Sequence, residues 1–324
     1  MVETCKKNNF PNIRIKESAC CLTHGQGTCK LKACARATRF HQRGLIWGPP
    51  CVAHSRLGKQ EGFKDPRVKC HDIGLQFAQD GCYDWLICEN VKDYPMAAQL
   101  AKLKDFEVGT CLTNPRKIGY NYNRERLYGL GINHNTREWI THESLQTLVD
   151  KFNREPQFPT CLHYFCMSNN EIKQSYDWYD ETEDIKNVLG EQTYKNLEAY
   201  RNDPELSMRT VWDLQQSVVS NKGSRRPRTS LVNGDLCCLT TNSGQLYSHQ
   251  LGRIMFPEEM LLVHGLPITP EAAHHAETMQ WQLDKASVSY HQKVVMAGNG
   301  MHVPTVALLL TILAMYTKPK AGQQ

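Results

Sequence analysis

Two short apolar runs, each closed by a reactive side chain, constrain this chain more than anything else in it. The first is Arg43-Gly44-Leu45-Ile46-Trp47, followed by Gly48-Pro49-Pro50-Cys51. The second is Tyr83-Asp84-Trp85-Leu86-Ile87-Cys88, followed by Glu89-Asn90-Val91. Each run has the length and apolar character of a buried strand. Pro49 and Pro50 fix φ and bar a helix, so the first strand must end in a stiff turn with Cys51 at its tip. A thiol held in one place suits covalent catalysis, provided that its neighbours favour the thiolate. Strands that end in reactive groups fit an α/β sheet whose site lies at the carboxyl ends. An inert core cysteine and a helix-capping surface glutamate are the plainer readings of either residue alone.

Three more segments carry recognisable patterns. Gly119 is followed by Arg124-Glu125-Arg126-Leu127-Tyr128-Gly129-Leu130-Gly131, an alternating strand that would put both arginines on one face. Arg253 to Pro267 reads RIMFPEEMLLVHGLP, a helix with proline near its start. Gly298-Asn299-Gly300-Met301-His302-Val303-Pro304 opens a final apolar stretch. Its flanking glycines would allow φ > 0, which makes Asn299 more a structural than a catalytic residue.

Together these five segments resemble the cytosine-C5 methyltransferase family. Its nucleophile run is Gly-Pro-Pro-Cys-x-x-x-Ser, here residues 48–55, with Val52 where Gln is usual. Its acid motif is Glu-Asn-Val, its arginine strand is Arg-x-Arg with Tyr122 replacing a Gln, and its last helix follows Gly-Asn-x-x-x-x-Pro. The resemblance implies an S-adenosylmethionine-dependent methyltransferase-like, Rossmann-like α/β sheet with a smaller inserted target-recognition domain. It implies that Cys51 attacks cytosine C6, that Glu89 binds the N3 edge and shares a proton there, and that Arg124 and Arg126 hold the pyrimidine carbonyl and a phosphate. Pro49, Pro50, Gly298 and Asn299 would border the cofactor. Ser55 and Arg253 fall on positions assigned to nucleic acid.

Domain limits follow from these motifs. Residues 1–43 form a polar, cysteine-rich segment, 44–135 with 251–318 the catalytic domain, 136–250 the target-recognition domain, and 319–324 a tail. Helical stretches are expected at 143–152 and 180–200, and a strand at Cys238-Leu239-Thr240-Thr241. Lys222 to Arg228 (KGSRRPR) makes Arg225, Arg226 and Arg228 candidates for phosphate contact, against the plainer reading of a solvated loop. The net charge of +5 permits a polyanion without requiring one.

The family's first strand, ending in Phe-x-Gly-x-Gly, has no counterpart; residues 1–40 hold only Gly25-Gln26-Gly27. Three βα units of about thirty residues each would be needed before the nucleophile strand. The expectation is therefore a shortened cofactor half, from a truncated product or a partial sequence, with weak or no binding of S-adenosylmethionine by this chain alone. A partner or missing segment would then complete that site.

The fourteen cysteines show no even framework and no signal peptide precedes them, which favours a reduced intracellular setting, nuclear in a eukaryote. Cys20, Cys21, His24, Cys29 and Cys34 lack paired metal spacing, so no metal is expected. Val303–Tyr316 is too short to span a bilayer, which needs roughly twenty residues. The function read from the sequence is DNA cytosine-5 methylation of a flipped-out base. A non-catalytic nucleic-acid-binding remnant and a tRNA cytosine-5 methyltransferase remain open.

Overall fold

Alternating apolar runs and amphipathic helices build a mixed four-stranded sheet in the first part of the chain. The computed structural model describes residues 18–20, 28–30, 42–51, 54, 62–65, 69–81, 83–179, 185–215, 229–268 and 288–321. The strands are β1 (Ser18–Cys20), β2 (Thr28–Lys30), β3 (Gly44–Trp47), β4 (Trp85–Asn90), β5 (Phe106–Thr113), β6 (Arg126–Asn133), β7 (Arg137–Trp139), β8 (Val211–Asp213), β9 (Leu246–Ser248), β10 (Arg253–Ile254) and β11 (Thr317–Pro319). The helices are α1 (Lys69–Asp80), α2 (Met96–Leu100), α3 (Leu145–Asp150), α4 (Asn169–Ser175), α5 (Ile185–Leu189), α6 (Glu191–Arg201), α7 (Pro257–Val263), α8 (Tyr290–Asn299) and α9 (Val303–Tyr316).

Two compact units divide the chain. The first comprises residues 1–113, 125–151 and 308–324, the second residues 114–124 and 152–307. In this division residues 251–307 group with residues 152–250.

In the first unit the strand order is β3-β4-β6-β5. β3 and β4 run parallel, while β6 is antiparallel to β4 and to β5. β4 carries five consecutive buried residues, because sheet neighbours flank it on both sides. β3 was expected to be buried as well. It alternates instead between exposed and half-buried positions, with Ile46 41% exposed, since among the described residues it pairs only with β4. α1 presents His71, Leu75 and Ala78 to the interior, one helical face by their 4,3 spacing. Leu75 and Ala78 join Leu86, Met96, Leu100 and Phe106 in one core.

The second unit has two apolar clusters, one around Tyr122, Val211 and Met260, the other around Trp212, Tyr200 and Phe256. Helices appear at α3, in the first unit, and at α5–α6, matching the two stretches expected to be helical to within one residue; residues 180–184 lie outside the described set. Cys238 to Thr241 joins no strand, the nearest pairing being a single bridge from Tyr122 to Leu236. Counted as one stretch, Tyr290–Tyr316 is long and apolar enough for a membrane. The helix breaks, however, between Asn299 and Val303. The 14 residues of α9 reach about 21 Å, short of a ~30 Å hydrocarbon core. α9 buries Leu309, Ile312 and Leu313 but leaves Met315 half-exposed, so only one of its faces is covered.

Two buried histidines give the fold an acid limit. Burial pushes His71 down to about 4 and His302 down to about 3, the latter helped by the Arg124 guanidinium. Histidine in an unfolded chain takes its proton near pH 6.5. Below that pH the unfolded state binds more protons than the folded one, so stability falls as pH drops from about 6.5 towards 4. Each histidine contributes up to about 1.4 kcal/mol per pH unit within that window. Urea midpoints at pH 7 and pH 5 check this. The shift should shrink in His302→Gln, and an identical shift in that variant would be the contrary result.

Candidate active site

The Pro-Cys turn and the acid end of β4 are tied together by one side chain. β3 and β4 pair in register with Trp47 opposite Cys88, so the turn after Trp47 leaves the sheet beside Glu89 and Asn90. Asn90 is buried, and its amide donates a hydrogen bond from Nδ2 to the carbonyl of Pro49 at 3.1 Å. Its Oδ1 accepts from the backbone N–H of Val91 at 2.8 Å. Pro49 is buried and Pro50 exposed; Cys51 follows as a half-buried free thiol. The N–H of His54 returns to the Cys51 carbonyl at 2.9 Å, closing a tight turn around the cysteine. A proline-rich turn has few N–H groups of its own, so an outside amide must hold it. Sequence reasoning gave Asn90 no such role; the only local signal was a polar residue ending an apolar strand.

Glu89 and Asn90 belong to β4 itself, whereas the sequence placed them just beyond the strand. The Glu89 carboxylate, only 7% exposed, meets the Nε of Arg126 at 3.0 Å. Arg126 starts the antiparallel neighbour β6 and also donates to the Glu125 carbonyl at 2.8 Å. Behind the turn, His54 stacks edge-on against Tyr94 at 4.9 Å, and Tyr94 against His71 at 5.1 Å. Burial lowers His54, opposed by Asp65, and raises Tyr94.

Arg124 and Arg126 part company. They were expected to share one strand face, but β6 begins only at Arg126. Arg124 precedes it, where its backbone N–H donates to the Asn114 side chain at 3.1 Å. Its buried guanidinium donates to the carbonyls of Gly300 at 2.8 Å, Leu239 at 3.3 Å and Gly298 at 3.4 Å. It lies in the second unit and secures the end of α8. Gly298 and Asn299 form the last residues of that helix rather than a positive-φ turn; Gly300 caps it at φ −63°. Gly298 is required by packing, because a Cβ there would lie 2.2 Å from the Thr241 nitrogen.

Arg253 is withdrawn from nucleic acid. It is 9% exposed and makes a bidentate pair with Glu259, at 2.9 and 2.7 Å. Glu259 also accepts from the N–H groups of Phe256 and Met167, both at 2.9 Å. The Arg-x-x-x-Pro-x-Glu pattern is thus a buried helix start, with Pro257 at the first position and Glu259 closing the box. Ser55, Arg225, Arg226 and Arg228 lie outside the described residues, as do Cys21, His24 and Cys34 of the N-terminal cluster. Among the described residues no group of three or more His, Cys, Asp or Glu side chains is arranged to hold a metal.

Across residues 35–311, most of its length, the sequence matches the family described as C-5 cytosine-specific DNA methylase. The chain belongs to this family. The fold class read from the motifs, an α/β methyltransferase-like sheet, is that of the family. No curated protein matches the sequence. Among solved structures, the Dnmt2 methyltransferase of S. pombe is 16% identical with TM-score 0.46, over 84% of this chain and 78% of that one. A variant of Spodoptera frugiperda DNMT2 is 14% identical with TM-score 0.48, over 96% and 88%. The methyltransferase EhMeth of Entamoeba histolytica is 14% identical with TM-score 0.44, over 84% and 76%. The family assignment rests on the sequence match and on none of these likenesses.

Methylases of this family generally use S-adenosylmethionine. Pro49, Pro50, Gly298 and Asn299 were assigned to it. The Pro49 carbonyl is taken by Asn90, the Gly298 carbonyl by Arg124, and Gly298 itself is packed against backbone. The expected shortening of the cofactor half concerns residues 1–43, of which only β1, β2 and residues 42–43 are described.

Removing the Asn90 amide should loosen the Pro-Cys turn without removing a reacting group. Asn90→Ala strands a buried carbonyl, costing about 1–3 kcal/mol of stability. Asn90→Asp keeps the shape but loses the donor. Both should lower the reactivity of Cys51 towards a cytosine substrate more than towards a small alkylating agent. Equal losses with both reagents would show that Asn90 does not aim the thiol.

Proposed function

We propose that this chain is a DNA cytosine-5-methyltransferase that works through a covalent adduct between Cys51 and the target base. The observation that carries this reading is the Glu89–Arg126 pair, at 3.0 Å, on the strand end to which Asn90 ties the Pro-Cys turn. A cytosine placed there meets a thiol, a carboxyl group and a guanidinium, and each has a task. The ring is too electron-poor at C5 to accept a methyl group directly. Attack of the Cys51 thiolate on C6 forms the S–C6 bond and moves the C5=C6 electron pair towards C4 and N3. Glu89, in its protonated form, supplies a proton at N3, which leaves an enamine and a nucleophilic C5. Arg126 holds Glu89 in place and offers guanidinium N–H donors to the base carbonyl. A base stacked in a duplex is out of reach of this site, so it must be flipped out.

The adduct has a signature that needs no methyl donor. While C6 is bonded to sulfur, C5 can take a proton from solvent and release its own; expulsion of the thiolate then restores the ring. Incubation in D2O with cytosine-containing DNA and RNA oligonucleotides, read by mass spectrometry, tests for it. Deuterium at C5 in DNA is the expected result, with 5-methylcytosine when S-adenosylmethionine is added. Exchange and methylation in RNA alone would move the substrate to RNA. Binding without exchange in either would leave only a nucleic-acid-binding protein.

A further inference from the structure

The second unit contains a cavity of about 220 Å³ that the chemistry above does not use. It is smaller than the ~300–1,000 Å³ of sites for drug-sized ligands, and suits a single ring system. Its apolar floor is Val188, Leu189, Ile254 and Val294. Its polar groups are the amides of Gln215, Asn242 and Gln245, with Thr241 and the His291 imidazole. Among the described residues the lining contains no Lys, Arg, Asp or Glu. An ammonium group would find no carboxylate there, while an uncharged ring with donors and acceptors on its edge would find partners for both.

Trp178 stands at the wall, 47% exposed although it is the largest kind of apolar side chain. It is held by edge contacts to Tyr290 at 5.8 Å and Tyr176 at 5.9 Å. Tyr290 is fixed in turn by its hydroxyl, which donates to the Gly244 carbonyl at 2.7 Å. Gln245 accepts at Oε1 from the Thr193 hydroxyl at 3.0 Å, which orients its amide and leaves the NH2 group to donate. A fixed indole beside oriented amides is the equipment that stacks and reads a base.

We propose that this cavity binds one unpaired nucleobase of the nucleic-acid substrate, stacked on Trp178 and read by Gln215, Asn242 and Gln245. It rests on the reading that the substrate is a nucleic acid. The base is a different one from the base attacked, because neither Cys51 nor Glu89 lines the cavity. Binding a second base would favour unstacked or single-stranded substrate and set a preference at one position other than the target.

The test uses the full chain and fluorescent single-stranded DNA and RNA oligonucleotides, with an abasic site moved one position at a time. One position other than the target should weaken binding about five- to 150-fold, the range expected for losing one stacked base. Trp178→Leu should bind the intact oligonucleotide as weakly as the unaltered chain binds that abasic one, and should show no further abasic penalty. Gly244→Leu blocks the same space by filling. A Cβ there meets the Gln215 amide at 3.4 Å and Tyr290 and Val294 at 3.8 Å, all ordinary contacts, so the fold should tolerate it. It should erase the penalty as Trp178→Leu does. The nucleic acid that shows the penalty identifies the source of the base. A flat abasic scan with both nucleic acids overturns the proposal, as does a penalty that survives in both variants. C5 exchange in the same samples separates the two readings. Exchange with a flat scan removes the second-base site and keeps the methyltransferase; loss of both binding and exchange removes both.

Discussion

Cys51→Ser should abolish C5 exchange and every covalent adduct with cytosine, while binding of nucleic acid stays near its original strength. Serine keeps the size of the side chain and the turn held by Asn90 and by the His54 N–H. It removes the thiolate, and a hydroxyl is scarcely ionised near neutral pH. The loss should be on the order of 10³-fold or more, because no second path to C6 remains. Glu89→Gln makes an informative companion. It keeps the shape of the strand end and part of the contact to Arg126, but cannot deliver a proton to N3. A fall of about 10²–10⁴-fold is expected, the usual range for a lost general acid. Exchange rates by mass spectrometry measure both variants. Undiminished exchange in Cys51→Ser would place the nucleophile elsewhere.

Glu259→Ala should cost more stability than any other single change to a charged side chain in the second unit. Glu259 is buried and satisfies four donors at once: two from the Arg253 guanidinium and the N–H groups of Phe256 and Met167. Its loss leaves a buried guanidinium and two backbone groups without their acceptor, a defect worth about 3–5 kcal/mol. Replacing both partners, as Arg253→Met with Glu259→Leu, should cost clearly less than the single change, because no charge is left stranded. Urea unfolding of the two variants measures the difference. A double variant as unstable as the single one would show that shape at the start of α7, rather than charge, is what the pair supplies.

The parts of this protein legible in the sequence are those fixed by neighbours along the chain. The run Leu86-Ile87-Cys88 is apolar enough to be a central strand in any compact fold. Pro49 and Pro50 exclude a helix by covalent geometry, and the one proline of α9, Pro304, falls in the first turn, where a helix tolerates it. These local features, with their order, were enough to recognise the family and to put Cys51 and Glu89 at strand ends. Tertiary structure decided what each side chain touches. Arg124 and Arg126 are two residues apart, yet one serves Gly298 and Gly300, 174 and 176 positions away, and the other pairs with Glu89 across the sheet. The exposure of β3, the burial of Arg253 and the amide of Asn90 on Pro49 follow the same rule. A hydrophobic period or a proline acts within a few residues, so it is written locally. Charge pairing and hydrogen-bond satisfaction depend on which distant backbone groups the packed chain brings within 3 Å, and no pattern along the sequence states that.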